Sequence, residues 1–133
     1  MMKNFLLSLF VFLTLLTGCS DEGVKPPAEL DSFFEALKAD GVEGSVLVRA
    51  PFNDDMEYIA EYAIARYAST RIISVFKFKD AEKAGTNLQE AMKNDKLTGQ
   101  ARNGGFVMVV TFYPPDEEAV EKIKTLFLAH EFD

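Results

Sequence analysis

Residues able to do chemistry are few and scattered along this chain of 133 residues. One acidic cluster that could do chemistry is Asp54, Asp55, Glu57 and Glu61. Carboxylates share a proton or a metal only where their side chains converge, and the adjacent Asp54 and Asp55 do not share a helical face. The stretch also lacks the alternating oxygen ligands and the glycine of a calcium loop. A solvated helix start explains it more simply, with Asn53 or Asp54 as the cap and Asp55 and Glu57 at the positive end of the dipole. The single histidine, His130, is the only imidazole that could serve as a base. It shares a helical face with Ile123 and Phe127 near the end of the sequence, which is the position of a packed or capping residue. With one cysteine and one histidine, the sequence offers no internal disulfide, thiolate metal cluster or Cys-His pair, so no metal or cofactor is expected.

Two groups of residues are better suited to recognition than to catalysis. The spacing of Met56, Ile59, Ala60, Ala63, Ile64 and Tyr67 predicts a helix from about residue 54 to 68. On that helix Tyr58 and Tyr62 are i and i+4 to each other, on roughly the opposite face. Either another helix or the N-terminal tether covers them, or Phe52, Tyr58 and Tyr62, edged by Asp55 and Glu61, form a partner-binding surface. The second group is basic. Residues 71–102 are net positive while the flanking segments are acidic, and Arg71, Lys77, Lys79, Lys93, Lys96 and Arg102 can gather on one side or pair with the acidic remainder. Lys93, Lys96 and Arg102 are therefore an alternative contact surface, for an acidic protein, a lipid head group or an anionic polymer. Gly104-Gly105 precedes a strand rather than a helix, so it is expected to be a turn and not a phosphate-binding loop.

The N-terminus determines where these residues act. Lys3 supplies a positive charge, Phe5 to Leu16 is apolar apart from Ser8 and Thr14, and the small residues Thr17 and Gly18 follow. This is the pattern of a secretory signal. The run falls short of the roughly 20 apolar residues that a transmembrane helix needs. Leu16-Thr17-Gly18-Cys19 resembles the lipobox of bacterial lipoproteins. The resemblance implies a diacylglyceryl group on the Cys19 thiol, cleavage between Gly18 and Cys19, and acylation of the new amino group. Two or three acyl chains make a stable anchor, at about 0.8 kcal/mol per buried methylene. Ser20 lacks the aspartate that commonly retains such proteins at the inner membrane. An outer-membrane position facing the periplasm is thus favoured. The expected division is a signal at 1–18, a lipidated tether at 19–27 that includes Pro26-Pro27, and one domain at 28–133.

The formal net charge is -7, and loss of Lys3 with residues 1–18 would make the remainder more acidic still. Such a surface repels phosphate, so nucleic acid is not an expected partner. Within the domain the periodicities predict a helix from Ala28 to about Asp40, a strand at 45–48, the helix at 54–68 and a strand at 71–79. A helix capped by Asp80, a strand at 106–112 buried on both faces, and a last helix running from Asp116 to near His130 follow. Leu97 to Ala101 can add a short edge strand. Alternating strands and helices predict an α/β fold with a small three- to four-stranded, mostly parallel sheet and about four helices. The alternative is a ferredoxin-like α+β sandwich with antiparallel pairing. In function, the expectation is a non-enzymatic envelope lipoprotein that binds a partner protein, as an assembly accessory, inhibitor or immunity factor. A binding module for a small or polymeric envelope ligand is the alternative, and an enzyme is least favoured.

Overall fold

The computed structural model describes residues 27–64 and 70–132. Cys19 with the expected signal and most of the expected tether, and Tyr67, lie outside the described residues. The described elements run α1 (Ala28–Ala39), β1 (Ser45–Arg49), β2 (Met56–Ala63), β3 (Arg71–Phe78), α2 (Ala81–Met92), β4 (Thr98–Asn103), β5 (Phe106–Phe112) and α3 (Glu117–Ala129).

The segment expected to be the second helix is a strand, and this corrects the fold class. Because β2 takes the place of a helix, β1, β2 and β3 follow one another as hairpins and pair antiparallel. The β4–β5 hairpin then docks with β5 against β3, also antiparallel. The result is a five-stranded antiparallel sheet in the order β1-β2-β3-β5-β4, not a mostly parallel sheet of three or four strands. The α+β character of the alternative is consistent with this arrangement. The edge strand expected at Leu97 to Ala101 is present as Thr98–Asn103, and Gly104, at a φ of 61°, turns it into β5.

The helical spacing of residues 56–64 has a specific origin. A bulge between Met56 and Tyr58 inserts one extra residue, so Met56 and Ile59 point to the same face of the sheet although three residues apart. Beyond the bulge Tyr58, Ala60, Tyr62 and Ile64 alternate onto the other face. A strand buried on both sides, with one bulge, thereby reproduces the i, i+3, i+4 pattern of a helix.

One face of the sheet carries the main core. Leu30, Phe33, Phe34 and Leu37 of α1 and Val120, Ile123 and Phe127 of α3 pack on Ala60, Tyr62, Ile73, Val75, Met108 and Val110. Phe33 and Phe127 meet edge to face at 5.7 Å and join the two helices. The Asp80 cap expected from sequence is present, with Lys83 N–H donating to Asp80, and Asp116, expected in the first turn of the last helix, caps it, accepting from Ala119 N–H. α2 packs on the opposite face, where Ala84 and Leu88 meet Met56, Ile59, Phe78 and Val107.

Candidate functional site

The two tyrosines lie beneath α1. Tyr62 is fully buried, its ring stacked on Phe34 with centroids 5.1 Å apart, and its hydroxyl donates to the Val42 carbonyl at 2.6 Å. Tyr58 is half-buried and its hydroxyl donates to a carboxylate oxygen of Glu29 at 2.5 Å. Burial first, then the hydrogen bond and the negative charge of Glu29, push the Tyr58 phenol far above its ordinary value. Burial likewise raises Tyr62. α1 covers both tyrosines, Tyr62 fully and Tyr58 in part.

The other members of that group separate. Phe52 stands in the β1–β2 loop, 75% exposed. Asp55 binds Lys83 of α2 at 3.1 Å, and Glu61, on the face opposite the tyrosines, binds Arg49 of β1 at 2.5 Å. The acidic stretch is thus split between a turn, where Asn53 accepts from the Asp55 N–H, and a strand. Among the described residues no group of three acidic, histidine or cysteine side chains is placed to hold a metal ion.

The basic residues do not form one patch either. Lys93 pairs with Glu90 at 3.2 Å, Lys96 is exposed in the turn before β4, and Arg102 donates to the Gly104 carbonyl at 3.1 Å. Lys77 lies over the Phe106 ring on the α1 and α3 side of the sheet. Arg71 lies over Phe112 and pairs with Asp116 at 3.5 Å. His130 meets Ser32 at 2.8 Å, with its ring against Phe33 and Phe132. That contact has the atoms of a nucleophile and its base, but it sits in an aromatic joint between α1 and the end of α3, and among the described residues no carboxylate orients the ring.

Two features were not singled out from sequence. The first is a cleft of about 250 Å³ at one end of the sheet, with Ile64, Phe112 and Ile123 in its lining and the Arg71–Asp116 and Lys122–Asp40 ion pairs at its rim. The second is the outer edge of β1. The two edges of the sheet differ. Along β4 the pairing is interrupted between Thr98 and Ala101, where Gly99 adopts a φ of 64°, and the Asn103 amide is tied to the Phe127 and His130 carbonyls of α3. Along β1 the register with β2 is regular through all five residues, and Leu47 is 39% exposed. Arg49, the only charged side chain on β1, is held by Glu61. An edge lacking a bulge, an internal proline or a free lysine keeps its backbone donors and acceptors ready for another strand.

Searches against protein-family models, curated proteins and solved structures found no match to this chain. Among the described residues no helix is long and apolar enough to cross a membrane.

Proposed function

We propose that this chain is a lipid-anchored protein of the bacterial envelope whose domain binds a partner protein and catalyses no reaction. The anchor is read from Leu16-Thr17-Gly18-Cys19, with the outer membrane facing the periplasm as its favoured place. The observation that carries the binding role is the regular outer edge of β1, on which no other described strand pairs, beside the exposed side chains of Leu47 and Phe52. An exposed edge with apolar side chains is a liability in a free protein, and a partner that covers it removes that liability. An accessory, inhibitor or immunity role fits such a surface. Crosslinking and affinity capture from intact envelopes test the reading, which expects a reproducible protein partner.

A second reading has its own support in the cleft between the two ion pairs. Its apolar lining and rim of both charge signs suit a small envelope ligand that carries an apolar body and a charged group. A small-molecule envelope fraction that raises the melting temperature of the wild type, and fails to do so for Lys122→Ala, would favour this reading.

A further inference from the structure

We infer that Asn103 is a site of spontaneous covalent modification, at which the side-chain amide cyclises onto the Gly104 nitrogen and is lost as ammonia, and that the end of α3 controls when this happens. The inference is independent of both binding readings above.

The sequence supplies the reactants. Asn103 is followed by Gly104 and Gly105, so no side chain shields the Gly104 nitrogen. That nitrogen bonds to Asn103 Cγ and gives up its proton, the Cγ–Nδ2 bond breaks, and ammonia leaves with the proton. Water then opens the succinimide at either carbonyl, leaving aspartate or isoaspartate at position 103.

The fold holds this reaction back. Asn103 Nδ2 donates to the Phe127 carbonyl at 2.9 Å and to the His130 carbonyl at 2.7 Å, and the Asn103 backbone is paired opposite Phe106. Cγ cannot turn onto the Gly104 nitrogen while both side-chain bonds persist. They break when the end of α3 lifts. That end is held down by Phe132 against Phe33, Phe106 and Phe127, and by His130 against Ser32.

The product cannot restore the contact. The same two bonds cap α3, whose last turn carries no basic side chain and presents the negative end of the helix dipole. A carboxylate at position 103 offers neither carbonyl a donor and sets a negative charge against both. Lys77 is one strand further across the sheet, over the Phe106 ring. An opening that is reversible with Asn103 intact therefore becomes permanent once the amide is lost.

The test uses the purified full chain in detergent, incubated at mildly alkaline pH, with conversion at position 103 followed by mass spectrometry. Wild type should convert at least tenfold more slowly than a free peptide of residues 100–107. Phe132→Ala should convert at least threefold faster than wild type, whereas Leu88→Ala, which loosens α2 on the opposite face of the sheet, should not. Asn103→Asp should speed amide hydrogen exchange across residues 128–131 at least tenfold and leave residues 45–49 unchanged. Conversion of wild type at the rate of the peptide, no acceleration by Phe132→Ala, or equal acceleration by Leu88→Ala would each overturn the inference. Unchanged exchange at residues 128–131 in Asn103→Asp would overturn it as well.

Discussion

Phe34 and Tyr62 stack at 5.1 Å with their planes 18° apart, and this contact locks α1 onto β2. Both rings are enclosed, and the Tyr62 hydroxyl also satisfies the Val42 carbonyl in the turn after α1. Replacing Tyr62 by alanine removes a large core side chain and leaves that carbonyl without its donor. The expected loss is about 3–5 kcal/mol, by analogy with buried aromatic truncations. Urea denaturation checks it, and a change below 1 kcal/mol or so would place Tyr62 outside the core.

Tyr58 gives the domain a signature at high pH. Its folded-state pKa is raised, first by burial and then by Glu29. Above about pH 10 the unfolded chain ionises this phenol while the folded chain keeps it neutral, so stability falls as pH rises. Tyr58→Phe removes that contribution and should flatten the decline relative to wild type between about pH 9 and 11. Parallel slopes in chemical denaturation would show that Tyr58 is not held in this buried site beside Glu29 in solution.

Much of the architecture was legible in the sequence because local signals and tertiary context agreed. The apolar spacing of Leu30, Phe33, Phe34 and Leu37, the cap at Asp80, the acidic start of α3 at Asp116, Glu117 and Glu118, and the unbroken run Phe106–Phe112 each specify their element. β2 was not legible. Its bulge and two-sided burial imitate a helix, and Ala60, Glu61 and Ala63 are good helix formers. One misread element replaced the crossover between β1 and β3 by two hairpins, and β4, lying between α2 and β5, makes β5 run antiparallel to β3. The candidate site moved for the same reason. On a helix the tyrosines would face away from Met56 and Ile59 toward a partner, whereas on a strand they face away from them into α1. The open edge at β1 was hidden because an edge is defined by strand order, which only long-range pairing reveals.

Gly99 is expected to be intolerant of a side chain. Its φ is +64°, and a methyl group there would stand 2.8 Å from Val110 Cγ2 and 3.0 Å from Val120 Cγ1. Gly99→Ala should cost more than about 1 kcal/mol by thermal or chemical denaturation. A neutral result would mean that the β4 edge can relax, and the contrast between the two sheet edges would weaken.

The anchor has its own direct check. Cys19→Ala should abolish incorporation of a labelled fatty acid and leave the precursor uncleaved or poorly processed. Labelling that survives the substitution contradicts lipidation at Cys19.

The binding role is tested most directly by placing a photocrosslinking amino acid at Leu47 and, as a control, at Leu128, which is 50% exposed on α3. Irradiation of intact envelopes should give one discrete protein adduct from position 47 and none from position 128. No adduct from position 47, or the same adducts from both positions, would contradict a partner-binding role for the β1 edge.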